Sequence, residues 1–379
     1  MEFSFSEDQD ELRRSARRFL EVESSEERVR NAMESDRGYE VATWEQLSEE
    51  LAWTALTIPE EYGGLGMSYL DLHPLMEEMG RALLCSPFFS TICLGANAIL
   101  LGGSDAQKET LLPGIAAGET TATLAFGEKN ARMNATGVEA SYAKSGSGYV
   151  LNGEKSYVVD GDSADLLVVA ARLQGSEGND GVSLFLVPAD VDGVTQTWQP
   201  TMDQTRRLGA IELADVSVST DGLLGEEGRG WELCERTLDL ARIALAAEQV
   251  GAAEMCLDMS VEYAKVRKQF GRPIGSFQSI KHKCADMLMM IESARSAAFY
   301  ASALAAQGDF DLGEAASGAK AICSDTFFHC AAECIQIHGG IGFTWEHAAH
   351  IYFKRAKSTE TLLGDPSFHR ERVAQRMGL

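Results

Sequence analysis

Few of the reactive side chains in this 379-residue sequence stand at spacings that specify a reaction. Its eight cysteines could hold a metal, but only Cys330 and Cys334 approach ligand spacing, four apart, and no second pair faces them. They read as reduced thiols, most of them buried. His282, His338, His347 and His350 are scattered, and read as polar residues of helix faces or core rather than metal ligands. There is no P-loop, no G-x-G-x-x-G after a strand, no H-E-x-x-H and no G-x-S-x-G. Residue patterns alone therefore assign no chemistry, although two stretches hold groups that can meet an anionic ligand. In Tyr263–Ile274, Arg267 stands two residues before Gln269-Phe270, and a guanidinium offers a planar fork of donors suited to phosphate. In Gln336–Phe343, the pair Gly339-Gly340 lets a helix end approach a ligand closely, because no Cβ intervenes. Taken singly, Arg267 would be a surface helix arginine and the glycine pair a helix C-cap.

The elements that must carry these stretches change character twice. Residues 1 to 118 read as helices: Ser6 caps the first with Gln9 reaching back, and Leu12, Ala16, Phe19 and Leu20 recur on one face. Ile58–Gly66 and Gly102-Gly103-Ser104 are turn-rich breaks. Residues 119 to 228 read as strands. Tyr149-Val150-Leu151 meets Asn152-Gly153, a hairpin signal, before Lys155–Val159. Leu166–Ala171 and Val182–Val187 are bounded β runs, and Ile211, Leu213, Val216 and Val218 fit a further strand pair. No helical period interrupts them, so a small antiparallel barrel or sandwich is expected rather than a doubly wound sheet. Helices return over Leu233–Lys265, Phe277–Gln307, Leu312–His338 and His347–Leu363, with a break at Gly271-Arg272-Pro273. Met287, Met289 and Met290 read as core filler, Trp231 and Trp345 as packing residues. The expected fold is α+β: an N-terminal helical domain (1–118), a middle β-barrel or sandwich domain (119–228) and a C-terminal four-helix-bundle domain (229–379).

Composition narrows the partners. With 45% hydrophobic and 24% charged residues the chain is globular, and wholesale disorder is excluded. A net charge of −24 argues against nucleic acid or an anionic membrane as partner. No run of 18 apolar residues and no signal-peptide pattern occurs, so a cytoplasmic location is expected.

Three stretches together resemble the acyl-CoA dehydrogenase family. Pro59-Glu60-Glu61-Tyr62-Gly63-Gly64-Leu65-Gly66 is similar to its P-E-x-x-G-G-x-G. Tyr263 to Ile274 is similar to Y-A-x-x-R-x-Q-F-G-x-P-I, and Gln336 to Gly342 to Q-x-x-G-G-x-G. The order helices, strands, helices agrees as well, so the resemblance spans the chain. It implies a tetrameric flavoprotein with FAD that desaturates an acyl-CoA thioester between the α and β carbons. Hydride would pass to flavin N5, and electrons onward to a soluble electron-transfer flavoprotein. It further implies that Arg267, Gln269, Phe270, Gln336, Gly339 and Gly340 bind the flavin dinucleotide of a neighbouring subunit, Arg267 at the pyrophosphate.

The chain departs from the family pattern at three places. T-E-P-x-A-G-S-D becomes Ala125-Phe126-Gly127-Glu128-Lys129-Asn130-Ala131-Arg132, with Glu128 retained. W-I-T-N-G becomes Tyr157-Val158-Val159-Asp160-Gly161: Tyr157 keeps an aromatic ring for the flavin face, and Val159 lacks the hydroxyl. The base that removes the α-proton is missing from both usual positions. L-D-x-E-R becomes Leu238-Asp239-Leu240-Ala241-Arg242, and Y-E-G-T becomes Leu362-Leu363-Gly364-Asp365. The nearest carboxylates are Glu360, three residues before Leu363, and Glu248, two helical turns past Ala241 on the same face. Each could equally be a solvated or ion-paired glutamate.

What survives is what a subunit lends its neighbour; what is eroded is what it needs for its own site. The family includes bacterial heterotetramers, some of them steroid-degrading, with one competent subunit type. Two roles are therefore expected: an active FAD-dependent acyl-CoA dehydrogenase, or a non-catalytic partner completing the FAD site of a second dehydrogenase chain. An oxidase or thioester lyase variant of the same fold is a further rival.

Overall fold

Capping chemistry starts the helices where the sequence calls for it. The Gln9 amide N–H donates to Ser6 Oγ at 3.2 Å and the Ser6 N–H to Gln9 Oε1 at 3.0 Å, opening α1 (Glu7–Glu23). This computed structural model describes residues 4–308 and 311–379. Helices α2 (Glu26–Glu34), α3 (Val41–Glu45), α4 (Tyr69–Arg81), α5 (Asn97–Gly102) and α6 (Asp105–Ala116) precede the strands. These are β1 (Ala122–Ala125), β2 (Ser141–Ser145), β3 (Gly148–Val159), β4 (Leu166–Leu173), β5 (Val182–Pro188), β6 (Val194–Gln199), β7 (Leu208–Ser219) and β8 (Leu223–Leu224). Then follow α7 (Gly230–Val266), the short strands β9 (Lys268–Gln269) and β10 (Arg272–Pro273), α8 (Gln278–Ala306), α9 (Gly313–His338), α10 (Ala349–Thr361) and α11 (Pro366–Arg376). The last helix, capped by Asp365 with Pro366 at its first turn, was not among the expected elements. The chain divides into two compact units, one of residues 1–31, 68–84 and 242–379, the other of 32–67 and 85–241.

The first unit is a helical bundle in which α9 packs against α8, α10 and α11. Glycine permits its tightest crossing: a Cβ on Gly80 of α4 would lie 1.9 Å from the Glu248 carbonyl oxygen of α7, and one on Gly251 of α7 would lie 1.8 Å from that of Glu77. Glu77, 2% exposed, receives Arg13 of α1 and Arg295 of α8, each at 2.6 Å, with His73 Nε2 at 3.4 Å. Burial alone would raise its carboxyl pKa. The His73 hydrogen bond and the charges of His73, Arg295 and Arg13 overcome burial and hold the group at about 2, below its ordinary 4.5. A depressed folded-state pKa stabilises above the ordinary value, and that contribution is lost as pH falls toward 2. Wild-type stability is therefore expected to fall more steeply than that of Glu77→Gln between pH 4.5 and about 2, measured by thermal unfolding.

The second unit holds an eight-stranded sheet of order β6-β7-β3-β2-β4-β5-β8, with β1 parallel to β4. Its pairs are antiparallel except β1–β4 and β2–β4. The core is built on Tyr142, Tyr149 and Phe185, whose rings meet edge-on at 4.9–5.7 Å, and on Leu167, Val169 and Val187. Two strand expectations need correction. Asn152-Gly153 is not a hairpin turn: β3 runs straight through it, and the turn lies at Gly146-Ser147, with Ser145 pairing Gly148. Ile211, Leu213, Val216 and Val218 belong to one strand, β7, rather than two. The two corrections share a cause. A bulge opposite Asn152, with Asp215 at φ +53°, inserts one residue into β7 and keeps all four apolar side chains inward. Asn152 spends its side chain there, donating to Asp215 Oδ1 at 3.0 Å and accepting the Asp215 N–H at 2.9 Å.

Packing expectations hold for Met287, which is fully buried, but not for Met289 or Trp345. Met289 is 70% exposed on α8, and Trp345 is 67% exposed with the Lys354 ammonium over its ring. All eight cysteines are free thiols, and all but Cys284 are buried. Among the described residues no helix is long and apolar enough to cross a membrane, and no cluster of three His, Cys, Asp or Glu could hold a metal.

Candidate cofactor site and active site

The bundle unit brings one group of the expected residues together. Helix α7 stops at Val266, and its end is closed by the Arg267 N–H donating to the Tyr263 carbonyl at 2.8 Å. The chain then reverses in a two-residue turn: Gln269 pairs with Arg272, while Phe270 and Gly271 both take left-handed conformations, φ +52° and +76°. Such a turn suits Asn-Gly. A phenylalanine in its first position carries about 1–2 kcal/mol of backbone strain, and this one is 92% exposed. Its ring meets Phe277 edge-on at 6.1 Å but is otherwise presented to solvent, which makes it a candidate contact residue. Nearby, α9 ends at His338, and Gly339 follows at φ +64°, ψ −142°, a conformation reserved for glycine. A Cβ at either Gly339 or Gly340 would meet nothing within 4 Å, so the space beside this helix end is open.

Arg267, Gln269, Phe270, Gly339 and Gly340 all line one groove of about 490 Å³, with Tyr263 and His338 in its wall. Arg267 is exposed, and among the described residues no carboxylate pairs with it. Gln336 is exposed on the last turn of α9. A free guanidinium, an open helix end and a projecting ring fit the pyrophosphate and aromatic parts of a dinucleotide.

Tyr157 and Val159 belong to the sheet unit. Tyr157 has φ +58°, is 55% exposed, and donates its N–H to Gln199 Oε1 at 2.7 Å. The Val159 side chain is buried, and its carbonyl accepts the Thr123 hydroxyl at 2.7 Å. Glu128 is buried too, accepting the N–H groups of Glu139 and Ala140 at 2.9 Å and the Lys155 ammonium at 2.5 Å. It is occupied in holding its loop.

The carboxylates weighed as bases are engaged. Glu248 is 3% exposed, and Arg355 Nη1 donates to it at 2.8 Å. Glu360 accepts from Lys357 Nζ at 2.6 Å, a pair near the surface. Ala241 and Leu363, where the resemblance implies a base, are buried. Leu363 has φ +61°, and its carbonyl accepts from Arg242 Nε and His369 Nε2, each at 3.1 Å. Burial, with the charges of Arg242 and Lys320, pushes the His369 pKa down to about 2, so the ring is neutral.

Sequence reasoning missed Lys320. It is fully buried on α9 and donates to Ser324 Oγ at 2.8 Å, Thr359 O at 2.9 Å, and Glu360 O and Gly364 O at 3.2 Å. Burial, then the Arg242 charge, pushes it down to about 7. The carbonyl cage at the C-terminal end of α10 suits the ammonium form. The available signal was one lysine among small residues, in Gly313-Glu314-Ala315-Ala316-Ser317-Gly318-Ala319-Lys320-Ala321. Together Lys320, Arg242 and His369 pin the segment that carries position 363.

Known proteins share this architecture. Profiles of the acyl-CoA dehydrogenase N-terminal, middle and C-terminal domains match residues 6–119, 123–216 and 228–378. The acyl-CoA dehydrogenase IpdE2 of Mycolicibacterium smegmatis is 33% identical over 361 residues, 95% of this chain and 96% of that protein. The structure of butyryl-CoA dehydrogenase from Megasphaera elsdenii superposes with a TM-score of 0.92 at 30% identity, covering 100% of both chains. A chain of the ChsE4-ChsE5 complex from Mycobacterium tuberculosis gives 0.90 at 25% identity, covering 100% of this chain and 99% of that one. With all three domain profiles in chain order and relatives matched along nearly their whole length, the chain belongs to the acyl-CoA dehydrogenase family.

Proposed function

We propose that the chain is a subunit of a tetrameric FAD-dependent dehydrogenase that desaturates an acyl-CoA thioester and passes electrons to an electron-transfer flavoprotein. The observation that carries this is the hairpin tip: a strained, exposed Phe270 beside an unpaired Arg267 and the open Gly339-Gly340 turn. When bound, FAD supplies the hydride acceptor for the β carbon. The chain's own residues hold it. Arg267 offers its fork of donors to the pyrophosphate, the Gly339-Gly340 turn admits the dinucleotide close to the end of α9, and Phe270 covers an aromatic face. These groups serve the flavin of the adjoining subunit.

A second reading has a specific observation in its favour. Both base positions are aliphatic, and Glu248 and Glu360 are each tied to a cation. The desaturating site that this chain completes would then belong to a second dehydrogenase chain, in a tetramer of two subunit types. The determining experiment is FAD per protomer after expression of the chain alone. Near one FAD per chain supports a self-sufficient enzyme. No flavin, with about one FAD per two chains once a second acyl-CoA dehydrogenase chain is added, supports the partner role. No flavin under either condition sinks both.

The tip residue can be tested separately. Phe270→Asn is expected to raise the stability of the flavin-free chain by about 1 kcal/mol, because Asn-Gly suits the turn. The same change should weaken FAD binding about tenfold, the worth of one aromatic contact. Thermal unfolding and a flavin titration read the two effects independently.

A further inference from the structure

The bundle unit holds a second recess, which shares no residue with the cofactor groove. It encloses about 400 Å³ between α1, α2, the end of α4, α7 and the start of α10. Leu20, Val29, Leu83, Met255, Met259 and Ile351 form its apolar wall. Glu21 and Glu26, both exposed, stand at its mouth.

The buried polar side chains of the wall are already spent inside the protein. Ser24 Oγ donates to the Ala82 carbonyl at 2.9 Å, and the Tyr352 hydroxyl donates to the Arg81 carbonyl. Glu78 takes the Arg17 fork on both oxygens, at 2.9 and 2.7 Å. Arg81, part-exposed, directs Nη2 to Asp258 at 2.6 Å. One lining residue is also held in a conformation its type disfavours. The chain leaves α4 through Leu83 at φ +51°, a position that glycine ordinarily takes. A glycine would close that turn without strain, but it would leave the wall without the buried isobutyl group of Leu83.

We propose that this recess is a binding site for an uncharged, apolar small molecule. Its volume lies in the range of small-ligand pockets. At about 30 Å³ for each water-sized group, it has room for a skeleton of roughly a dozen carbon atoms. The chemical class follows from the wall. A polar ligand would lose its water against side chains whose hydrogen bonds are already made. An anionic head would meet Glu21, Glu26 and Glu78, with Asp258 behind Arg81, and be repelled. A cation would have to compete with Arg17 and Arg81 for carboxylates they already hold. Apolar surface remains, and burying it is what favours binding. Met255 and Met259, unbranched and half-buried, can conform to skeletons of different shape. The site stands independently of the function proposed above.

The test titrates the full chain with the uncharged fluorophore N-phenyl-1-naphthylamine, with and without added FAD, and melts it over a range of probe concentrations. The expected result is saturable binding of one probe per chain, the same under both conditions, with a melting temperature that rises with probe. Decanol should displace the probe at least tenfold more effectively than decanoate. Ala82→Phe and Ala348→Phe each add a ring from a different wall. Each should weaken probe binding at least tenfold, and the melting temperature without probe shows that the variant has folded. No saturable binding, binding undiminished in both folded variants, or displacement by decanoate as readily as by decanol would overturn the proposal. So would variants that bind the probe normally but change the mass of the assembly, since a partner chain would then cover the recess.

Discussion

Arg267→Ala is expected to strip FAD from the assembled protein without weakening the fold. The argument rests on where the side chain spends its donors. Its backbone is fixed on both sides, by the N–H to Tyr263 O and by the carbonyl accepting from Ile274 N–H, each at 2.8 Å. Its guanidinium is exposed and pairs with no carboxylate among the described residues. Removing it leaves no buried partner unsatisfied, so the unfolding midpoint of the flavin-free chain should not move. Hydrogen bonds from a charged fork to a pyrophosphate contribute about 2–3 kcal/mol, so affinity for FAD should fall roughly 30- to 150-fold. Arg267→Lys keeps the charge but not the planar pair of donors and should fall between the two. If the assembly has two subunit types, mutating this chain should empty flavin sites whose remaining groups belong to the other chain. Flavin content that is unchanged in Arg267→Ala would remove the residue from the cofactor site.

Glu248→Gln is expected to act the opposite way, on stability first. Glu248 and Arg355 face each other at 2.8 Å, and their side chains are 4% and 2% exposed. A buried pair of this kind adds little net stability when both members are present, because desolvation offsets attraction. Breaking it is different: the buried Arg355 guanidinium would lose the carboxylate that faces it, and removing one member of such a pair costs about 3–5 kcal/mol. The double change Glu248→Met with Arg355→Met should recover much of that loss, since the two facing charges are removed together. A general base would behave in the reverse manner, with Glu248→Gln folding normally and losing turnover. The two outcomes separate on one thermal melt. Glu360 makes a useful control. Its pair with Lys357 is part-exposed, at 18% and 45%, so Glu360→Gln should shift stability by less than about 1 kcal/mol.

The legible parts of this protein are those whose cause is local. Ser6 and Gln9 make a capping box because the partners are three residues apart, and any chain with that spacing can close it. The break at Gly271-Arg272-Pro273 was readable for the same reason, although the strain at Phe270 was not, because backbone angles are not written in residue type. The motif stretches Tyr263–Ile274 and Gln336–Gly342 named a groove before its geometry was known, since each is continuous in sequence. Asn152-Gly153 misled for a tertiary reason. The dipeptide carries a hairpin signal, but pairing of β3 with β7 on one side and β2 on the other held the strand straight and put the bulge in β7 opposite Asn152.

Residue order alone was enough for the first helix start, the strand-rich middle and the family motifs, because each has a local cause. Only the tertiary structure decided what the remaining charges do. Glu248 and Arg355 are 107 positions apart, and Lys320 and Gly364 are 44 apart. A carboxylate is a base, a buried ion-pair partner or a surface charge according to which side chains surround it. Those neighbours come from helices brought together by packing, so no window along the chain contains them.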